Sequence, residues 1–311
     1  MNMVSKKPKI LKPGDTIGVI APASAPSLRK VYEGKKIYEQ MGLHVVIAPS
    51  VGKTFGYLGG TDQERISDLE DMFRNPDIKG IFCACGGYGT PRIVDQLNYE
   101  LIRDNPKIFW GYSDITCLHT AIYQETGLIT FHGPMLSSDL ASDRVQSYTL
   151  EGLKQVLHAK PIVIDEIRES LVALEGGVVT GHLVGGNLTL ISGLMGTAYE
   201  IDTEGAILFI EEIEEEPYRI DRMLNQLKLA GKLDQAAGYV IGNFNDCEPK
   251  KREKSLALNE VLNYYLKKPG KPCLKGFSIG HCNPALSIPY GAIARLDANQ
   301  ITLTIESGVE E

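Results

Sequence analysis

Residues 109–115 read Phe109-Trp110-Gly111-Tyr112-Ser113-Asp114-Ile115. An apolar run stops at a glycine, a serine follows after one aromatic residue, and helix-forming sequence begins at once. A strand that breaks into a helix through so short a turn presents its apex at the carboxyl end of a parallel sheet, the edge where open α/β folds bind ligands. The flanking sequence repeats the same alternation. Thr16–Ala21 reads as a strand introduced by the turn Pro13-Gly14-Asp15. A helix at about 28–41 follows, turning Leu28, Val31, Tyr32 and Met41 toward one face and stopping at Gly42. After a strand His44–Ala48, Thr61-Asp62-Gln63-Glu64 forms a capping box. It opens a helix with Ile66, Leu69, Met72 and Phe73 at helical spacing, closed by Asn75-Pro76. Strand Lys79–Cys85 runs into Gly86-Gly87-Tyr88-Gly89, and Thr90-Pro91 reads as the N-cap and first residue of a short helix. Strand Lys107–Trp110 leads to the quoted turn, and a helix Ile115–Thr126 ends at Gly127. This β-α-β-α order predicts a parallel, doubly wound sheet.

Beyond about residue 160 the pattern changes. Short strands are expected at Ile162–Asp165, Gly205–Glu211, Tyr239–Phe244, Ser287–Leu296 and Gln300–Glu306, with helices at Tyr218–Ala230 and Leu256–Leu266 and glycine-rich joints at 176–177 and 185–186. The expected organisation is therefore an α/β domain at 1–160, a linker at 161–178, and a smaller β-rich α/β domain at 179–311.

The chain has 311 residues, 43% hydrophobic and 23% charged, with a net charge of −7. That composition suits a globular protein and excludes a fibre, a coiled coil and a disordered chain. The negative charge argues against a nucleic-acid partner. No apolar run approaches the roughly 18–20 residues of a membrane span. Lys6, Lys7, Lys9 and Lys12 before Ile17–Ala21 imitate a signal peptide, but Asp15 interrupts and the apolar run is only five residues long. A cytoplasmic protein is expected. Its six cysteines are too sparse for a disulfide scaffold. Cys83 and Cys85 read as buried thiols; a sharper alternative joins them with Cys117 and His119 as a zinc site, at a spacing unusual for zinc.

Ser113 is the first chemical candidate, a nucleophile whose oxyanion the following N–H groups and helix dipole would stabilise. A helix N-cap serine explains the same spacing, and Ile115 stands where a G-x-S-x-G elbow has its last glycine. A serine nucleophile needs a base and an orienting carboxylate. Among six histidines, His281 and His132 have the best loop contexts; His44, His119, His158 and His182 read as structural. Glu211 ends the apolar stretch Ile207–Ile210, which separates it from the solvated acidic run up to Glu216. The Gly86-Gly87-Tyr88-Gly89 turn suits an oxyanion-donor loop facing Ser113, or a tight turn alone; as a dinucleotide fingerprint it is incomplete, because Arg92 stands where the third glycine belongs. Lys250-Lys251-Arg252 reads as a solvated loop.

Taken in order, these segments resemble the LD-carboxypeptidase family of serine peptidases, which also contains microcin-immunity peptidases. The resemblance rests on Lys12-Pro13-Gly14-Asp15-Thr16-Ile17-Gly18, Gly86-Gly87-Tyr88-Gly89, Gly111-Tyr112-Ser113-Asp114 and His132-Gly133-Pro134. Later motifs are Gly185-Gly186-Asn187-Leu188, Glu211 with Pro217-Tyr218-Arg219-Ile220-Asp221-Arg222, and Gly280-His281 through Pro289-Tyr290-Gly291. It implies an amidotransferase-like (flavodoxin-like) N-terminal domain carrying the nucleophile, and a β-rich C-terminal domain carrying acid and base. The implied catalytic residues are Ser113, Glu211 and His281, with the backbone N–H groups of Gly87 and Asp114 as oxyanion donors. No cofactor or metal is implied. The implied substrate is a murein tetrapeptide, cut at an L-to-D bond to release terminal D-Ala during peptidoglycan recycling, by an enzyme expected to be a homodimer. Cys85 stands where many members carry arginine before the Gly-Gly turn. The tyrosine in that turn is closer to the peptidoglycan branch than to the branch that cleaves peptidyl-nucleotides such as microcin C. A nucleotide-binding Rossmann-like protein without hydrolase activity is the remaining alternative.

Overall fold

The computed structural model describes residues 5–142, 145–250, 254–268 and 270–311. In chain order the elements are β1 (Thr16–Ile20), α1 (Leu28–Gln40), β2 (His44–Ile47), α2 (Asp62–Arg74), β3 (Ile78–Cys83), α3 (Tyr99–Asp104), β4 (Ile108–Gly111), α4 (Thr116–Thr126), β5 (Thr130–His132) and α5 (Ser147–Leu153). They continue with β6 (Ile162–Asp165), β7 (Val172–Glu175), β8 (Val178–Asn187), α6 (Leu188–Gly193), β9 (Ile207–Ile213), α7 (Pro217–Leu229), α8 (Lys232–Gln235), β10 (Gly238–Asn245), α9 (Leu258–Leu266), β11 (Cys273–Lys275), β12 (Ile288–Tyr290), β13 (Ile293–Asp297) and β14 (Thr302–Ile305). These form two compact units. One comprises the described part of Met1–Lys160 with Ser287–Gly291 and Ser307–Glu311; the other comprises that of Pro161–Leu286 with Ala292–Glu306.

The first unit is built on a sheet ordered β12-β5-β4-β3-β1-β2, parallel except for β12 at one edge. Its central strands are apolar on both faces, as burial under helices on both sides requires. Phe82, Trp110 and Phe131 are register neighbours on β3, β4 and β5. Trp110 stacks on the other two at 5.7 and 5.6 Å, and the fully buried indole donates to the Pro134 carbonyl at 2.9 Å. Burying each such ring contributes on the order of 2–3 kcal/mol, and this stack ends one residue short of Gly111. The capping box forms: the Thr61 hydroxyl accepts from Glu64 N–H, and Glu64 accepts from Thr61 N–H at 2.9 Å. The inward face of α1 is Val31, Gly34 and Tyr38, while Leu28 and Tyr32 are exposed, contrary to the expected face. Gly34 decides this, since a Cβ there would lie 2.4 Å from the Leu136 carbonyl oxygen.

The second unit is a mixed sheet ordered β6-β14-β13-β8-β9-β10-β11-β7, with β8 to β11 parallel and the flanking strands antiparallel. The expected linker 161–178 carries β6 and β7, which pair at opposite edges of this sheet. The expected joint at 185–186 lies inside β8, and the single strand expected at Ser287–Leu296 is two strands in different sheets. It breaks at Gly291, where φ is +85° and a Cβ would meet the Tyr123 ring at 2.2 Å. β12 therefore belongs with β5 in the first unit. Lys250 is exposed and pairs with Asp246; Lys251 and Arg252 lie outside the described residues. Among the described residues no helix is long and apolar enough to cross a membrane.

Candidate active site

Ser113 sits at the apex of the turn between β4 and a single 3₁₀ turn, Ser113–Ile115, that runs into α4. Its φ is +66°, a left-handed conformation that costs a side-chain-bearing residue about 1–2 kcal/mol. Gly111 makes the tight turn possible: a Cβ there would stand 3.0 Å from Cys83 Cβ and 3.0 Å from Ile115 Cγ1. Ile115 thus packs over Gly111, which explains why the second glycine of a G-x-S-x-G elbow is not required here.

The Gly86–Gly87 turn lies against the serine. A Cβ on Gly86 would come within 2.9 Å of Ser113 Cβ, 3.0 Å of its Oγ and 3.4 Å of the Asp114 amide nitrogen. Gly87 has φ +103°, and a Cβ there would meet Ser24 Oγ at 2.3 Å. Ser24 fixes the turn. Its N–H donates to the Gly86 carbonyl at 3.2 Å, and its hydroxyl accepts from Tyr88 N–H at 3.1 Å. The Cys85 thiol donates to its carbonyl at 3.2 Å. Burial, with the Asp114 charge nearby, pushes that thiol up to about 12, so it stays protonated near neutrality. Among the described residues no acceptor takes the N–H of Gly87 or Asp114.

His119, one of the residues read as structural, is buried behind the turn on α4. Its Nε2 donates to the Gly111 carbonyl at 2.8 Å, which leaves Nδ1 to accept from the Thr130 hydroxyl at 2.8 Å. Burial lowers its pKa to about 4, against a smaller opposing effect of the Gly111 bond, so the ring is neutral in ordinary buffers. Both nitrogens are used, so His119 does not join Cys83, Cys85 and Cys117 in a zinc site. Among the described residues no group of three ligating side chains is poised for a metal. His132 is buried against Tyr112 and His119 rather than lining the sheet edge. His44 and His158 are exposed, and His182 lies on β8.

In the second unit Glu211 sits on β9, between β8 and β10, with its side chain fully buried. Its Oε2 lies 2.7 Å from His281 Nδ1. His281 stands in the loop after β11, mostly buried, with 14% of its side chain exposed. A carboxylate can only accept, so this bond places the hydrogen on Nδ1. Gly280 makes the close approach possible: φ is +101°, and a Cβ would fall 2.3 Å from Glu211 Oε2. The loop is also held by Glu169, whose Oε2 accepts from the Ser278 N–H at 3.2 Å and hydroxyl at 2.7 Å. Glu169 comes from the segment expected to be a linker.

Glu212 corrects the expectation of a solvated acidic run. It is 2% exposed and accepts from Asn187 Nδ2 at 2.9 Å, from Thr189 N–H and hydroxyl at 2.8 Å each, and from Ile213 N–H at 2.9 Å. Burial pushes its carboxyl up, and these bonds oppose the shift. Asn187, so held, caps α6 by accepting from Leu190 N–H at 3.3 Å. Continuation of β9 through Ile213 is the signal for this buried acid, two residues past the expected strand end.

The two halves therefore hold the sequence-derived candidates in distinct settings: Ser113, Gly87 and Asp114 in the first unit, and the bonded pair Glu211–His281 in the second. Family models for the LD-carboxypeptidase N-terminal and C-terminal domains match residues 17–133 and 180–296. A Bacillus subtilis (strain 168) protein called probable murein peptide carboxypeptidase is 51% identical over 305 residues, 98% of this chain and 96% of its own. A structure of MccF in complex with glutamyl sulfamoyl guanosine superposes with a TM-score of 0.86 at 27% identity, covering 96% of this chain and 98% of that one. A muramoyltetrapeptide carboxypeptidase from Oxalobacter formigenes gives 0.85 at 27% identity, covering 95% and 100%. The two-domain α/β architecture and both matched models agree: this chain belongs to the LD-carboxypeptidase family.

Proposed function

We propose that the protein is a serine carboxypeptidase that releases terminal D-Ala from murein tetrapeptides. Ser113 is the nucleophile, His281 the general base and Glu211 the acid that orients it. His281 Nε2 takes the Ser113 proton as Oγ attacks the carbonyl of the L-centred residue. The oxyanion rests on the Gly87 and Asp114 N–H groups, and Glu211 stabilises the imidazolium. His281 then gives its proton to the departing D-Ala amine, and water hydrolyses the acyl-enzyme by the same route. The observation that carries the reading is the 2.7 Å Nδ1–Oε2 bond, which prepares the imidazole as a base at Nε2. The strained Ser113 turn supports the nucleophile. The choice of a murein peptide follows the relative with 51% identity.

The resemblance to MccF favours a second reading, cleavage of an aminoacyl nucleotide. Competition decides between them: an aminoacyl-sulfamoyl nucleoside that inhibits at lower concentration than tetrapeptide competes would favour the second. A nucleotide-binding protein without hydrolase activity requires thermal stabilisation by NAD and no D-Ala release. A cytoplasmic homodimer completes the proposal; fractionation of cells and sedimentation of the purified protein test these two points.

A further inference from the structure

Behind the Gly86–Gly87 turn lie a buried arginine and a buried aspartate whose side chains the mechanism above leaves unused. Arg65, on α2, has a fully buried side chain. Its Nη1 donates to the Gly89 carbonyl at 2.9 Å and to the Pro22 carbonyl, and Nη2 donates to Asp62 at 2.5 Å. Asp114, next to the nucleophile, is 1% exposed, and its Oδ2 accepts from Thr90 N–H at 2.8 Å. The Gly89 C=O and the Thr90 N–H belong to the same peptide group. One peptide plane is therefore gripped on one end by a guanidinium and on the other by a carboxylate. The Thr90 hydroxyl adds a bond to the Asp114 carbonyl at 2.6 Å. Gly89 accommodates the clamp, since a Cβ there would lie 2.7 Å from Arg65 Nη1. Burying two charges is costly unless they are paired and fully hydrogen-bonded, so a clamp of this kind is an expensive way merely to hold a surface turn.

We infer that Arg65 and the Asp114 side chain are positioning residues: they lock the Gly87 donor loop to the Ser113 turn, so that both oxyanion N–H groups hold one geometry. This rests on the reading of Ser113, Gly87 and Asp114 given above. Charge-assisted bonds to a single peptide set its plane as well as its position. A displacement near 1 Å at a preorganised donor costs about ten- to hundredfold in rate.

The test compares Asp114→Ala, Asp114→Asn, Arg65→Met and Arg65→Lys in the full chain. D-Ala release from murein tetrapeptide gives kcat and KM. Binding of a peptide boronate, which forms a tetrahedral adduct on serine, reports the oxyanion site. Tetrapeptide affinity in the Ser113→Ala background reports ground-state binding. Asp114→Ala and Arg65→Met should lower kcat about ten- to hundredfold with KM within about threefold. Boronate affinity should fall by the same factor and tetrapeptide affinity should hold. Asp114→Asn keeps an acceptor and Arg65→Lys keeps a charge, so both should recover part of the loss; they carry the comparison if the harsher variants do not fold. A folded variant with unchanged kcat, or with equal losses for boronate and tetrapeptide, overturns the inference. Amide exchange over residues 86–92 should rise in Asp114→Ala, and unchanged exchange would also overturn it. That readout needs no substrate: if the unmodified protein neither binds boronate nor releases D-Ala, the reading of Ser113 falls while exchange still decides the clamp.

Discussion

Replacing Gly280 by alanine puts the hydrogen-bonded Glu211–His281 pair under a calculable load. The new Cβ would stand 2.3 Å from Glu211 Oε2, 2.6 Å from its Cγ and 2.7 Å from its Cβ. To reach even 3.0 Å, the carboxylate must recede by about 0.7 Å, and it is held in a central strand with no room to yield cheaply. That movement stretches the 2.7 Å bond to His281 toward the limit of a useful hydrogen bond. A left-handed φ of +101° adds about 1–2 kcal/mol of strain. Misplacing a catalytic group by about 1 Å costs on the order of 10²-fold, and losing the orienting acid altogether costs about 10⁴-fold. Gly280→Ala should therefore lower kcat by about 10²–10⁴ and stability by about 2–4 kcal/mol. Gly231→Ala is the control, because φ there is +77° but nothing lies within 4 Å of the added Cβ. It should cost about 1 kcal/mol and leave kcat unchanged. Steady-state D-Ala release and urea unfolding on both variants make the comparison. If Gly280→Ala behaves like Gly231→Ala, the tight Gly280–Glu211 packing does not set the position of His281, and the reasoning fails.

Two further outcomes concern stability. His119 titrates near 4 in the fold and near 6.5 when unfolded, so below 6.5 the unfolded chain takes up a proton that the native chain refuses. Stability should fall by about 3 kcal/mol as pH drops from 6.5 toward 4, and His119→Gln should flatten that part of the profile; parallel urea profiles for the two proteins would contradict the assignment. Glu212→Ala strands the Asn187 and Thr189 donors and should cost about 3 kcal/mol, whereas Glu215→Ala, whose partner Arg219 is exposed, should cost less than about 0.5. Equal losses would show that the buried bonds of Glu212 carry no special weight.

Local signals reported much of the first unit. Gly42 and Gly127 end helices through positive φ, and the 61–64 box forms as its residue types require. The second unit was harder to read because glycine is ambiguous inside strands. Gly185 reads as a turn, yet it lies within β8, where a Cβ would sit 1.8 Å from the Phe209 carbonyl oxygen; close backbone approach, not chain reversal, demands it. β7 and β11 are short edge-side strands without an alternating pattern long enough to register. Ser113, Glu211 and His281 were each visible as candidates, but only the family resemblance chose among six histidines. Arg65 and Glu212 were invisible as buried groups, since a polar residue on a helix or strand reads as solvated until its partners are known. Those partners lie 24 residues away for Arg65 and Gly89, and 25 for Glu212 and Asn187.

The most direct test of the account is mass spectrometry of a murein tetrapeptide incubated with the unmodified protein and with Ser113→Ala. The unmodified protein should remove one terminal alanine and the variant none. Alanine release by both proteins, or by neither, would contradict Ser113 as the nucleophile of an LD-carboxypeptidase.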